Sequence, residues 1–305
     1  IRVRHAGRRG LKFPLGLHDV LKGADYLVLH SAWTLRNVRA AAAARKLGTA
    51  YVLEPRGAYD PHIVTRKKWI KRLWWLAWEK QLVQNAHAIH IFFESERQHL
   101  AALGYEGSTI VASNGREIHS GDAWDGGSGG YLLWLGRFDP EHKGLDLLLD
   151  AIDLLPVPER PDLRLHGPDW RGKKTLVERW IADRKLGEWV SVGDAVYGEE
   201  KKDLLKGSSG FVYPSRWDAC PNSVLESVGM GVPTLVTPYP LGRFLSSKGG
   251  ALLAEARPRD LAEGLRQLSG RDAVDVGRIG AELVRDQLGW DTVARTWLDQ
   301  AEALL

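Results

Sequence analysis

Short apolar runs, bounded by glycine, proline or aspartate, recur along the whole chain and alternate with stretches of helical periodicity. Runs of this length, often β-branched, suit strands buried on both faces, which pair in parallel through crossover helices. The earlier part of the chain carries "ADYLVLHS", "AYVLEP", "AIHIFFE" and "STIVASN"; the later part carries "YLLWLG", "LRLHG", "WVSVG", "GFVYPS", "PTLVTP" and "GALLA". Between the first two runs of the later set, Leu145, Leu148, Leu149, Ile152 and Leu155 fall at helical spacing, and Leu176, Val177, Trp180 and Ile181 repeat it. The glycine-rich segment "SGDAWDGGSGGY" (120–131) reads as a flexible linker. Strand–helix alternation on both sides of it predicts an α/β protein of two doubly wound, Rossmann-like domains. The expected bounds are 1–120, a linker at 121–130, and 131–285, followed by a last segment at 286–305. A chain of 305 residues is long enough for two cores.

In sheets of this kind ligands bind beyond the carboxyl ends of the strands, and with two such domains the expected site is the cleft between them. Bulk composition sets the surroundings. The chain is 44% hydrophobic and 26% charged, as a soluble globular protein is, and its one cysteine, Cys220, excludes an internal disulfide and fits a reducing compartment. No run approaches the roughly 18 consecutive apolar residues of a simple spanning helix, and no signal peptide is visible, so a cytoplasmic location is expected. Charge is uneven: residues 1–120 hold 19 Lys and Arg against 9 Asp and Glu, a balance of +10, and the remainder holds 23 against 29, or −6. The basic first half suits an anionic partner such as a lipid surface or a phosphorylated acceptor, or is merely a solvated basic face. Nucleic acid is not expected as the partner, since basic charge alone argues for it.

Three stretches of the later half carry candidate chemistry. In "LGRFDPEHKGLDLL" a strand ends at Gly136, Arg137 follows at once, and Lys143 sits just before the next helix. Two cations beside a helix N-terminus suit a phosphate, although the spacing is not that of a P-loop and an ordinary surface Arg and Lys would look the same. In "LRLHGPDW" Gly167 ends a strand and would let a ligand approach the backbone. In "YPSRWDACPNSVLESVGMGVP" a loop carrying Asp218 opens into a helix with Glu226 one turn in. Ser223 and Glu226 have capping-box spacing, which by itself gives Glu226 a structural role. A functional reading instead gives the helix mouth at Asn222, Ser223 and Val224 a phosphate, Glu226 a ribose diol and Asp218 a sugar, because carboxylate oxygens accept the paired hydroxyls of a saccharide.

Together these motifs resemble the retaining nucleotide-sugar glycosyltransferases of the GT-B fold, family 4, the group 1 glycosyl transferases. The matching features are "GRF…KGLDLLLDAI", "LRLHGP", "VYPS" and the acid pair running into "LESVGMGVP", over about residues 131–240. The earlier half is similar more loosely, through "ADYLVLHSAW", "YVLEPRGAYDP", "AHAIHIFFESE" and "SNG". The resemblance implies two domains facing across a cleft, with "LGWDTVARTWL" as a last helix packing back on the first. It implies transfer of a sugar from a nucleoside-diphosphate sugar to an acceptor hydroxyl with retention, without metal or other cofactor. In it Arg137 and Lys143 stabilise the leaving diphosphate, Asp218 and Glu226 read the sugar and the ribose, and the base rests near Val196 and Tyr197. Gly136, Gly167, Asn222, Ser223 and Val224 complete the donor side, and Arg56 with Gly57 lies on the acceptor or sugar side. The acceptor would be a saccharide, a lipid-linked compound or a small natural-product precursor.

Two departures qualify this. The family usually carries glutamate where this chain has Asp218, one methylene shorter, which bears on donor choice or activity. The family's first strand and glycine-rich loop would precede Ile1, so the chain, opening on "IRVRHAGRRG", is expected to lack its start. A nucleotide-sugar epimerase of related fold and a weakly catalytic nucleotide-sugar-binding subunit are the competing functions. A dehydrogenase is not, since no strand leads into G-x-G-x-x-G.

One segment stands apart. "TRKKWIKRLWWLAWEKQLV" (65–83) packs six cations and four tryptophans into 19 residues. It reads either as a buried helix with basic ends snorkelling to water or as an interfacial segment resting on an anionic membrane.

Overall fold

The computed structural model describes residue 19 and residues 21–66, 68–117 and 122–304. Residues 1–18, on which the expectation about the chain's start falls, lie outside the described residues. The described chain forms two compact units, one of residues up to Ser113 together with Arg295–Leu305, the other Asn114–Ala294.

The first unit is built on four parallel strands in sequential order: β1 (Tyr26–His30), β2 (Ala50–Glu54), β3 (Ala88–Ile91) and β4 (Thr109–Val111). All four are runs read from sequence. Central strands β2 and β3 bury Tyr51, Val52, Leu53, Ile89 and Ile91, with Leu82, Val83 and Leu100 packed against them. The helix Leu35–Lys46 crosses from β1 to β2; the Thr34 hydroxyl caps it by accepting from the Asn37 amide, and Arg45 and Lys46 complement its carboxyl end. The Asn37 side chain donates to the carbonyls of His30 and Ser31, tying that helix to the end of β1.

Edge strand β4 is covered by the chain's last helix (Trp290–Glu302). The Gln300 carboxamide accepts from the Val111 amide and donates to the Val111 carbonyl, both at 2.9 Å, as a neighbouring strand would. Ala301 packs on Val52, Ala88 and Ile110, and the Tyr26 hydroxyl donates to its carbonyl at 2.6 Å.

The second unit holds six parallel strands: β5 (Tyr131–Leu135), β6 (Asp162–His166), β7 (Val190–Gly193), β8 (Ser208–Tyr213), β9 (Thr234–Val236) and β10 (Leu252–Leu253). Their spatial order is β10-β9-β8-β5-β6-β7. The chain therefore leaves β5 towards β7, returns to lay β8 on the other side of β5, and continues outward. That reversal between β5 and β8 is a topological switch point, where the connections diverge and leave a crevice at the carboxyl ends. The helix Leu145–Leu154 buries Leu145, Leu148, Leu149 and Ile152 as its spacing predicts, and Val177 and Ile181 do the same for Lys174–Asp183.

The glycine-rich stretch departs from its reading as a flexible linker. Residues 120 and 121 lie outside the described residues, but those that follow are anchored to the second unit: the Trp124 indole donates to the Ser208 carbonyl, its amide to the Met230 carbonyl, and the Gly129 amide to the Gly207 carbonyl. The division between units falls at Ser113 instead of 120. Glycine content signalled tight turns here, since Gly126, Gly127 and Gly130 all have positive φ.

The 65–83 segment is not a buried helix along most of its length. It runs as helix from Lys68 to Gln84 with a π-helical turn at Trp75–Glu79. Leu82 and Val83 enter the core, but Trp69, Ile70, Leu73 and Leu76 are 77%, 66%, 69% and 65% exposed. The π turn is pinned by Glu79, whose fully buried carboxylate accepts from the Trp33 amide, the Tyr59 hydroxyl and the Trp74 indole at 2.8–2.9 Å.

Candidate functional site

At the switch point the strand ends bring three of the four residues singled out for catalysis into one cluster. Beyond β5 the Gly136 amide donates to the His166 carbonyl, so the chain hugs the end of β6 before releasing Arg137. Gly167 is required there for a reason other than ligand access: a Cβ on it would lie 1.6 Å from the Gly136 carbonyl oxygen. The close approach is backbone on backbone.

Arg137 is held on three sides. An Nη2 hydrogen points at Nδ1 of His142 (3.1 Å), its guanidinium lies over the Trp170 ring at 4.7 Å, and Asp139 stands 3.7 Å away. Its Nε is buried with no hydrogen-bond partner in the protein. Asp139 in turn takes Lys173 at 2.9 Å. Lys143, almost wholly buried, reaches Asp218 across 75 positions of sequence: Nζ to Oδ2 is 2.5 Å, above the Tyr213 ring. Asp218 also accepts from the Tyr213 hydroxyl (3.1 Å) and from the Ala219 amide (3.1 Å). A carboxylate offers about four lone-pair sites, so a small remainder is open to another donor. Burial, and after it the charge of Asp218, holds the Tyr213 phenol well above its ordinary pKa, so it is a neutral donor.

His142 joins the two loops. Its Nε2 lies 2.7 Å from the Trp217 carbonyl, and its ring stacks on Trp217 at 4.7 Å with 8° between planes. Burial first, then the Lys143 cation, pushes its pKa down to about 4. The imidazole is therefore neutral, donating from Nε2 and accepting at Nδ1.

Glu226 belongs to a second cluster, one turn into the helix Asn222–Met230. The capping-box alternative fails. The helix begins two residues earlier than that reading places it, and its cap is Pro221 with no side-chain bond. Its oxygens lie 2.7 and 2.9 Å from Lys201 Nζ, with Arg116 at 3.5 Å. Of the amides expected to hold phosphate, that of Val224 already donates to the Pro221 carbonyl (3.2 Å), which leaves the helix mouth to Asn222 and Ser223. Asn114 braces this mouth through the Cys220 carbonyl and the Asn222 side chain. Val196 is buried; Tyr197 is exposed and caps the helix Gly198–Gly207, from which Lys201 reaches Glu226. The loop expected near a base and the carboxylate expected near a ribose are thus joined by one lysine.

In the first unit, Arg56 and Gly57 follow β2 with φ of 51° and 74°. A left-handed arginine is strained, and such residues gather at functional positions. Arg56 Nε pairs with Glu54 at 3.0 Å, and His30 and His90, from the ends of β1 and β3, lie 2.5 and 3.7 Å from the same carboxylate. Burial would raise the Glu54 pKa, but hydrogen bonds from the two histidines outweigh it and hold it at about 2.

His142, Trp170, Lys201, Arg116 and Glu54 escaped the sequence reading. Local sequence does not mark Trp170, Lys201 or Arg116, because each acts on a partner far along the chain that the fold brings near. Glu54 and His142 stand close in sequence to Arg56 and Arg137, but residue type and spacing there do not single them out.

The profile of the family described as "Glycosyl transferases group 1" matches residues 129–271, and that of the "Glycosyl transferase 4-like domain" matches residues 1–115. Mannosylfructose-phosphate synthase of Agrobacterium fabrum is 28% identical over 193 residues, 58% of this chain and 41% of that protein. O-antigen chain mannosyltransferase B of Escherichia coli is 31% identical over 114 residues, 37% of this chain and 29% of that protein. The chain thus spans less than half the length of either curated relative. Among solved structures, HepE of Anabaena in complex with UDP and glucose superposes with a TM-score of 0.74 at 15% identity, covering 94% of this chain and 80% of that one.

Proposed function

The chain belongs to the group 1 glycosyl transferases, family 4 of the GT-B fold, and from that premise we propose that it moves a sugar from a nucleoside-diphosphate sugar to an acceptor hydroxyl with retention. The observation that carries the reading is the part-exposed Arg137 guanidinium at the switch point, with Lys143 and Asp218 near it. Loss of a nucleoside diphosphate from a sugar carbon builds negative charge on the phosphates and leaves an oxocarbenium-like centre. Fixed cations placed where that charge grows lower the barrier, and need no reorganisation to do so. Arg137 and Lys143 take that role without a divalent ion. Glu226 takes the ribose diol, sharing its oxygens with Lys201, and Asp218 offers its remaining lone pair to a sugar hydroxyl. A donor phosphate oxygen accepts the acceptor's proton, so no side-chain base is invoked.

UDP-glucose is the first donor to try, because HepE holds UDP and glucose. Arg137→Ala and Lys143→Ala should each lower turnover by at least ~100-fold, the scale of losing one transition-state donor. A chelator should leave the wild-type rate unchanged. Wild-type turnover in both variants would remove the diphosphate assignment, and an isomerised donor without transfer would mean an epimerase.

A second reading concerns the acceptor. The exposed Trp69, Ile70, Leu73 and Leu76 lie on one helix with Lys68, Arg72 and Lys80, also exposed. Apolar side chains flanked by cations suit an anionic bilayer that carries a lipid-linked acceptor. Binding to phosphatidylserine-containing vesicles, weakened by salt and lost in Trp69→Ser/Leu73→Ser, supports this; no binding by wild type at low salt removes it.

A further inference from the structure

We propose that His142 is a positioning residue for the donor diphosphate: its imidazole fixes the Arg137 guanidinium and locks it to the loop that carries Asp218. This rests on the proposed role of Arg137 and adds to it the residue that makes the guanidinium a rigid fork.

Arginine recognises phosphate best when two parallel N–H groups are already aimed. A flexible arginine 40% exposed would have to be ordered by the ligand, at a cost in affinity. Here one face lies on Trp170, one Nη2 hydrogen goes to His142 Nδ1 and Nε is buried, which leaves the outer edge, Nη1 with the second Nη2 hydrogen, for a ligand. Such an edge contact needs an acceptor, and among side chains of this shape a neutral imidazole supplies one. The other nitrogen fixes the tautomer by donating to the Trp217 carbonyl at 2.7 Å, and the stack on Trp217 fixes the ring plane.

The backbone of the same residue completes the joint. The Ser215 hydroxyl and the Arg216 amide both donate to the His142 carbonyl, at 3.1 and 3.0 Å. Its neighbour Lys143 pairs with Asp218. The loop after β5 and the loop after β8 therefore share one fastening, and the cation and the acid on either side inherit their positions from it. Burial and the charge of Lys143 favour the neutral form. A mere core filler would need none of these polar contacts.

The two nitrogens are separable by substitution. Asparagine places its carbonyl oxygen near Nδ1 and can accept from Arg137; glutamine places its amide near Nε2 and can donate to Trp217 but offers Arg137 nothing. The full chain would be titrated calorimetrically with UDP, GDP, ADP and TDP, and the tightest binder carried through the variants. His142→Asn is expected to stay within about 3-fold of wild type, and His142→Gln and His142→Phe to weaken binding by about 10-fold or more, as loss of an ionic hydrogen bond does. In the Arg137→Ala background His142→Phe should weaken binding by no more than about 2-fold, since coupled residues do not add.

If Arg137→Ala binds as wild type, or no nucleoside diphosphate binds, the proposed site itself fails. If Arg137→Ala is impaired while asparagine and glutamine behave alike at 142, the site stands and the positioning role falls. That comparison remains valid even where His142→Phe does not fold.

Discussion

Two buried carboxylates of the first unit show how little residue type says about protonation. Glu54 gathers His30, His90 and Arg56 and stays ionised down to about pH 2. Glu96 makes no side-chain ion pair among the described residues, and His90 lowers its pKa only slightly. Burial raises its pKa to about 7, against the opposing pull of two backbone amides, Phe92 and Phe93, that donate to a single oxygen at 2.9 and 3.2 Å. Because its folded pKa lies above the ordinary 4.5, the folded state binds the extra proton between those values. Stability from this group is full below about pH 4.5 and is lost as pH rises through 7, by about 3 kcal/mol at most. Glu96→Gln keeps an oxygen for both amides and removes the titration. Denaturant unfolding at pH 5 and pH 8 should show a smaller decline in the variant than in wild type; equal declines would mean that Glu96 is ionised throughout.

At the scale of elements, the ten apolar runs correspond to the ten strands among the described residues; the central ones are buried enough for local hydrophobicity to report them, while β10 at the edge is only part-buried, and parallel order follows from the helices between them. What the runs could not report is how strand ends meet. Lys143 and Asp218 stand 75 positions apart, Arg116 and Glu226 110 apart, and no periodicity encodes such pairs. The capping-box reading of Ser223 and Glu226 failed for that reason: two cations from elsewhere compete for the carboxylate and win. Gly167 reads from sequence as a place where a ligand could approach the backbone; the group that approaches it in the structure is the Gly136 carbonyl. Gly167→Ala must push the ends of β5 and β6 apart, since neither carbonyl nor Cβ can yield as a flexible side chain would. The expected cost is about 2–3 kcal/mol, with weaker nucleotide binding because Arg137 follows directly. Gly187, where nothing lies within 4 Å of an added Cβ, is the control, and Gly187→Ala should be close to neutral. Equal unfolding midpoints for the two variants would show that the strand ends adjust freely.

For the whole molecule, the chain's path has a consequence that neither unit shows alone. The first unit is discontinuous: Asn114–Ala294 fold into the second, and only then does Arg295–Leu305 supply the rest of the first. Those last residues close an edge as well as adding area. Without Gln300 the amide and carbonyl of Val111 on β4 lose their partners, and without Ala301 and Trp297 the cluster of Val52, Ala88, Ile110 and Tyr26 is opened to water. An unpaired parallel edge beside an uncovered apolar face is prone to pairing between molecules. Ending the chain at Ala294 should therefore lower the melting of the first unit and promote its aggregation, while the second unit, whose strands and site residues all precede that point, melts nearly as before. Gln300→Ala isolates the edge: it should cost about 1–2 kcal/mol and speed hydrogen exchange at Val111 without changing exchange in β5 or β8. A truncated chain that melts in one transition at the wild-type temperature would show that the closing helix contributes nothing to the sheet it covers.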